Sequence, residues 1–440
     1  MNFIEALESL NTGQMVRVRG TVARVTGVIV EAQGLSLPVG AECTIRTREG
    51  DQVVAEVIGF SGDRCHLLPE SGISGIAPQD VVIHDGEKPS VEVSHQLLGR
   101  VINARGIPID GMGPVPCGEK MPIHADPIPA LERQKIDRAV HTGVRAFDSI
   151  LTVGVGQRLG IFSGSGVGKS TLLGMIARNT ELPIRVIALV GERGREVREF
   201  IDRDLGPEGL ARSVVVVATG DEAAVMRLRA ANVATSIAEW FRDQGNDVLL
   251  LVDSITRVAL AQREVGLCAG EPPTTRGYTP SVFGMLPRLL ERTGPGKVGS
   301  ITAFYSVLVE GDDLHDPIGD AVRGILDGQI WLSRDLANRG WFPPVDPCAS
   351  TSRAMSSVVD PEHLLGARSL VELVATYREI EDMVRLGAYV RGQDQRSDAA
   401  LDAMQSIEEL LRQLPSEKSE FELTRKRLID ITSNSSKEVA

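Results

Sequence analysis

Aromatic residues make up only 4 % of these 440 residues. The five cysteines, Cys43, Cys65, Cys117, Cys268 and Cys348, are scattered and contain no CxxC pair. That set excludes a disulfide framework. The seven histidines show no ligand spacing, so a structural zinc site is excluded too, and a reducing compartment is predicted. No apolar run approaches the roughly 18–20 residues of a membrane span. The opening MNFIEALESL lacks a basic n-region and does not read as a secretory signal, so a cytoplasmic protein is expected. Net charge is −12, which disfavours a general nucleic-acid coat. Between residues 1 and 92 the only aromatics are Phe3 and Phe60, a poor platform for stacking bases.

Apolar content of 42 % and charged content of 24 % suit a globular chain, and its length calls for about two or three domains. Residues 1–92 predict a short opening helix, Phe3 to Leu10, then a small closed β-barrel. Its strands are Met15–Val22, Val28–Glu31, Glu42–Ile45, Val53–Ile58 and Asp80–Ile83, separated by Gly, Asp and Pro. A Pro/Gly-rich lead-in of turns and short strands follows to about residue 150. It opens an α/β unit over 93–353, whose runs Arg185–Val190, Ser213–Ala218, Val248–Asp253 and Ser300–Tyr305 are apolar on both faces. Such runs, with helices such as Ala223 to Asp243 between them, belong to a mostly parallel sheet covered by helices. Residues 354–440 predict a helical domain, with helices near Val371–Val384 and Ala399–Leu414 and a tail frayed from Thr432.

Chemistry concentrates at residues 163–170, SGSGVGKS, directly after the apolar run Gln157–Phe162. A strand feeding a glycine loop that opens a helix holds phosphates on backbone N–H groups. Gly164, Ser165, Gly166, Val167 and Gly168 form the cradle, followed by Lys169, Ser170 and Thr171. Lys169 reaches the β/γ-phosphates and the Ser170 hydroxyl ligates Mg2+, so a nucleoside triphosphate with Mg2+ is expected. Ser163 stands where the first glycine of GxxxxGK[ST] belongs, and a small residue still makes that turn.

Asp253 ends a buried strand, where a carboxylate either holds Mg2+ or caps the next helix. Glu192 follows another strand at the same sheet edge. It would polarise an attacking water, or else pair with Arg195 or Arg198 on the surface. Arg193 beside it would neutralise phosphate charge. Arg257 lies four residues after Asp253, one helical turn away. It is either a γ-phosphate sensor or a helix-surface arginine. Residues 343–353, PPVDPCASTSR, form a proline-stiffened loop ending in Arg353. That arginine is either a finger on a neighbour's nucleotide or an ordinary interface residue. Phe342, just before the prolines, either stacks on an adenine or packs in the core.

These stretches, with GERGREVREF (191–200), DSITRVALAQREVG (253–266), GEPPTTRGYTPSVFGMLPRLLERTG (270–294) and VEGDDLHDP (309–317), resemble the F-type/V-type ATPase subunit superfamily. They are most similar to its flagellar and type III secretion export ATPases. The resemblance covers nearly the whole chain. It implies a RecA-like P-loop core between an N-terminal β-barrel and a C-terminal helical domain. By position it implies Glu192 as the catalytic glutamate, Arg193 as its phosphate-lining neighbour and Asp253 as the Walker B aspartate. Arg257 is then the γ-phosphate sensor, Phe342 the adenine-packing aromatic, and Arg353 an arginine finger given in trans. One chain holding both halves of the site implies a homohexameric Mg-ATPase energising protein export. The implied partners are a coiled-coil stalk, a dimeric peripheral-stalk regulator, export chaperones and unfolded substrates. Nucleic acid is not among them, and any membrane association would be peripheral.

Rotary catalytic subunits carry an acidic stalk-contacting loop. Here that stretch reads Leu386-Gly387-Ala388-Tyr389-Val390-Arg391-Gly392-Gln393-Asp394, without an acidic cluster, which favours the export branch. Only about fourteen residues precede the first strand, so the sequence leaves the regulator's docking site and the choice between flagellar and virulence-type secretion open. A rotary-ATPase catalytic subunit, a hexameric RNA translocase and a non-catalytic assembly subunit are the competing classes.

Overall fold

A computed structural model describes residues 17–116, 118–309, 311, 313 and 316–439. The expected helix Phe3–Leu10, and Met15 and Val16 of the first strand, lie outside the described residues. Six strands close a barrel: β1 (Val18–Thr26), β2 (Ile29–Gln33), β3 (Glu42–Arg46), β4 (Gln52–Ser61), β5 (Arg64–Pro69) and β6 (Val81–His84), in the order β1-β2-β5-β4-β3-β6. Alternate residues such as Val22, Val30, Ala32, Cys43, Ile45, Val57 and Leu67 fill its interior, as a period of two demands. Strand β5 was not predicted. Its second half, Leu67-Leu68-Pro69, is buried on both faces and shows no alternation.

The lead-in contributes β7 (Ser90–Val93), β8 (Val101–Asn103) and β9 (Glu119–Pro122), then β10 (Ala139–Val140) and β11 (Val153–Gly154) around helix α1 (Arg145–Ile150). The short strands are as expected; the helix is the departure. β8 joins the central sheet beside β14, and α1 is a fully buried helix too short to show a period.

The central strands are β12 (Arg158–Ser163), β13 (Ile184–Glu192), β14 (Ser213–Thr219), β15 (Asp247–Asp253), β16 (Gly294–Pro295), β17 (Ser300–Leu308), β18 (Gly328–Trp331) and β19 (Thr351–Ser352). Their order is β19-β18-β12-β17-β15-β13-β14-β8, with β16 paired to β17. All pairs are parallel except β18–β19 and β16–β17. Helices α2 (Lys169–Asn179) and α3 (Ala224–Asp243), then α4 (Ile255–Cys268), α5 (Pro280–Leu290) and α6 (Pro317–Ile325), lie between these strands in sequence. They divide between the two faces, each with its own hydrophobic core, so β13 is buried along its whole length.

The C-terminal helices are α7 (Pro361–Arg385), α8 (Gln395–Leu411) and α9 (Phe421–Val439). Asp360 and Asp394 cap the first two by accepting from the N–H of His363 and Ser397. α7 therefore begins ten residues before the periodic stretch that predicted it. The backbone stays helical through Val439, where the sequence suggested fraying from Thr432.

Candidate active site

The phosphate loop leaves the carboxyl end of β12, the position where ligands meet parallel sheets. Gly166 (φ 77°) and Gly168 (φ 109°) hold the left-handed conformation that side chains resist. Val167 is driven into the core between them, while Ser165, Gly166 and Ser170 stay exposed. Gly168 caps α2 without a side-chain partner, leaving the first-turn N–H groups aimed outward. The Ser163 hydroxyl is buried and unpartnered, and its carbonyl takes the N–H of Val309 (3.0 Å).

Five side chains converge above this loop. Lys169 Nζ donates to Asp253 Oδ1 (2.5 Å) and lies 4.0 Å from Glu192 Oε1. Ser306 Oγ donates to the same Asp253 oxygen (2.7 Å). Arg257 reaches back with one nitrogen to the Gly191 carbonyl (2.5 Å) and the other to Glu192 Oε2 (3.2 Å). Asp253 is not the helix cap: Ser254 takes that role at the start of α4. Nor is Glu192 paired with Arg195 or Arg198, which bind Glu199 and Asp202. One expectation fails in its geometry. Asp253 ends a strand, so Arg257 is not one helical turn from it on a common face, and its guanidinium faces Glu192 instead.

Burial raises the Glu192 carboxyl. The negative Asp253 and a hydrogen bond with Glu196 push it further, to about 7, against the pull of Lys169 and Arg257. Glu196, four residues on in the short helix Gly194–Glu199, is the site carboxylate that the sequence reading missed. Glu192 ends its strand and Glu196 lies in the helix that follows, so their spacing in the charged run GERGRE did not signal the contact. Arg193 is 80 % exposed and contacts Glu196 at 3.6 Å rather than the Lys169–Asp253 pair.

Beside the phosphate loop lies a 420 Å3 cavity lined by Gly168, Thr171, Phe342, Pro343, Gln413 and Pro415, among others. Phe342 is 45 % exposed, which excludes a core role, and it sits close enough to Gly168 that a β-carbon there would meet its ring at 3.7 Å. The wall from the C-terminal domain was not foreseen. Gln413 accepts from the Arg145 N–H and donates to the Gly143 carbonyl (both 2.8 Å), and its own N–H binds the Phe342 carbonyl (2.8 Å). Arg353 stands apart from all of these. It follows the edge strand β19, its N–H is tied to the Asp327 carbonyl (3.0 Å), and its exposed side chain has no partner among the described residues.

No cluster of three His, Cys, Asp or Glu that could cage a metal occurs among the described residues. The donors present are one hydroxyl, Ser170, and one strand-end carboxylate, Asp253. That sparse set fits Mg2+, which keeps its waters and shares phosphate oxygens rather than taking an all-protein cage.

Three family models match in register with this architecture: the ATP synthase alpha/beta family β-barrel domain over 22–86, the nucleotide-binding domain of that family over 143–352, and the type III secretion EscN ATPase C-terminal domain over 359–430. The chain is 51 % identical to the flagellum-specific ATP synthase of Bacillus subtilis, across 94 % of this chain and 95 % of that protein. It is 48 % identical to the type 3 secretion system ATPase of Xanthomonas euvesicatoria, across 94 % of each. The chain belongs to the flagellar and type III secretion ATPase family. It is an ATPase of the flagellar and type III export branch rather than a rotary catalytic subunit or an RNA translocase. The same family contains the assembled ATPase EscN of enteropathogenic E. coli, which superposes with a TM-score of 0.89 at 44 % identity, covering 94 % of this chain and all of that one. EscN in complex with its central stalk EscO gives a TM-score of 0.87 at 43 % identity, covering 94 % of this chain and all of that one.

Proposed function

We propose that this chain hydrolyses Mg-ATP as a homohexameric ring that energises protein export through a flagellar or type III secretion apparatus. The observation that carries the reading is the split between a complete phosphate cluster and a displaced arginine. Lys169, Glu192, Asp253 and Arg257 meet at one sheet edge, while Arg353, just after the edge strand β19, has no side-chain partner among the described residues, which supports a role toward a neighbour.

In the resting site Lys169 and Asp253 neutralise each other, which spares two buried charges from standing alone. Arriving phosphates compete for Lys169 and settle on the N–H groups of residues 164–170. Phe342 packs the base. Ser170 and Asp253 would hold Mg2+, which would supply positive charge to offset that of the phosphates. Glu192 accepts the proton of the attacking water, held in place by Arg257. Arg193 would have to turn from its contact with Glu196 to line the phosphates, and Arg353 of the adjacent subunit stabilises charge developing on the γ-phosphoryl group.

We assign the three units as 1–92, 93–353 and 354–440. The barrel strands ending at His84 and the helices beginning at Pro361 support that division. The ring would work in the cytoplasm on export chaperones and unfolded substrates, with a coiled-coil central stalk and a dimeric peripheral-stalk regulator as partners. No helix among the described residues is long and apolar enough to cross a membrane, in keeping with peripheral attachment.

The test is specific ATPase activity of the purified chain against its own concentration, with Mg2+ and without RNA. A steep rise is expected, and Arg353→Ala should remove it while leaving the fold intact. A flat rate near zero in the unmodified chain would overturn the ring reading. A concentration dependence unchanged in Arg353→Ala would overturn the trans role.

A further inference from the structure

Strand β17 lies between β12, which carries the phosphate loop, and β15, which carries Asp253. Its residues are nearly all apolar and buried around the middle, Ala303-Phe304-Tyr305 and Val307. Ser306 interrupts that run. It is fully buried, stands opposite Ile161 of β12 and follows Tyr305, the partner of Val252. A buried hydroxyl without a partner is costly. This one is satisfied by a single contact, Asp253 Oδ1 at 2.7 Å.

That same oxygen is held by Lys169. The other oxygen, Oδ2, accepts no hydrogen bond among the described residues. The spacing is set by backbone rather than chance. Thr256 Oγ1, in the first turn of α4, accepts from the Leu308 N–H (2.9 Å) and donates to its carbonyl (3.3 Å), locking α4 onto β17 two residues beyond Ser306.

We propose that Ser306 is a positioning residue for the aspartate. When phosphate draws Lys169 away, Asp253 loses its cation and one of its two donors at the same moment. A carboxylate at a buried strand end, left without its donors, would then be free to turn. The Ser306 hydroxyl, which carries no charge and has no competing attraction to phosphate, stays on Oδ1 and leaves Oδ2 directed at the metal side. Ser306 touches neither substrate nor metal and acts only through Asp253. The inference rests on the Mg-ATP reading above.

The experiment is nucleotide binding by the full-length chain, measured as ADP titrations in excess EDTA and across a Mg2+ series, alongside kcat and KM for ATP. Ser306→Ala should leave ADP affinity in EDTA unchanged. It should raise the Mg2+ concentration for half-maximal tightening by about 10- to 100-fold, the usual effect of losing a residue that orients a metal ligand. kcat should fall by a similar factor with KM little altered. Ser306→Thr, which keeps the hydroxyl, should restore both. A Ser306→Ala chain with the unmodified Mg2+ midpoint overturns the proposal. So does a Thr variant as defective as Ala, because packing rather than the hydroxyl would then be at work. If the unmodified chain shows no Mg2+-dependent tightening at all, the Mg-ATP reading itself falls. That outcome differs from a normal Mg2+ response that ignores Ser306.

Discussion

Glu192 offers the sharpest test because its environment sets a pH as well as a rate. Burial, the charge of Asp253 and the hydrogen bond with Glu196 hold its carboxyl near 7 in the free enzyme. A general base must be ionised to act, so kcat/KM for ATP should climb with pH through about 7 and level off above 8. One unit below the midpoint only about a tenth of the molecules carry the ionised base, so the value at pH 6 should be roughly a tenth of the plateau. The neighbours should move the midpoint in opposite directions. Glu196→Gln removes a group that raises the Glu192 carboxyl, and the limb should shift to lower pH. Arg257→Ala removes a cation that lowers it, and the limb should shift higher while the plateau falls. Glu192→Gln should cost about 10²- to 10⁴-fold in kcat while ATP still binds. The assay is steady-state phosphate release from pH 6 to 9, with intrinsic fluorescence confirming the fold at each end. A profile flat across that range, or a Gln variant keeping more than a tenth of the rate, would refute the assignment of Glu192 as the base.

Gln413→Leu keeps the volume but orphans the Arg145 N–H and the Gly143 carbonyl in a buried joint between α1 and the C-terminal domain. A loss of about 1–3 kcal/mol is expected, read as a lower urea midpoint, together with a raised KM for ATP because the same residue walls the Phe342 cavity. An unchanged midpoint would show that the joint contributes nothing. Glu56, at the boundary of barrel and core, is pushed up to about 7 by burial despite Arg229 nearby. Its folded-state value lies above the unfolded one, so its contribution to stability is full below about 4.5 and is lost as pH rises through 7. Glu56→Gln should therefore stabilise the chain at pH 8, by up to about 3 kcal/mol, and have little effect below about pH 4. Equal midpoints for the two chains at pH 8 would count against that burial.

How much of the site was legible follows from how local each signal is. SGSGVGKS spans eight consecutive residues, and its strand and helix flank it in sequence, so its role could be read directly. Glu192 and Asp253 were legible because strand ends in a parallel sheet share one edge. Arg257 was placed on the wrong face, since residue spacing cannot say where strand gives way to helix. Ser306 and Glu196 escaped because a serine inside an apolar strand, or a glutamate in a charged run, announces nothing without its neighbour. Gln413 escaped because its partners, Arg145 and Phe342, lie 268 and 71 residues away.

By itself, then, the order of residues determined the barrel, the parallel core, the helical end and the phosphate loop, because periodicity and turn chemistry act over a few residues at a time. Tertiary structure decided the rest. It brought β12, β17, β15 and β13 side by side out of sequence order, so that Lys169, Ser306, Asp253 and Glu192 share one buried cluster. It also left Arg353, just after the edge strand, with no side-chain partner among the described residues. Such contacts between distant segments arise only when both faces of the sheet are packed, and no local pattern encodes them.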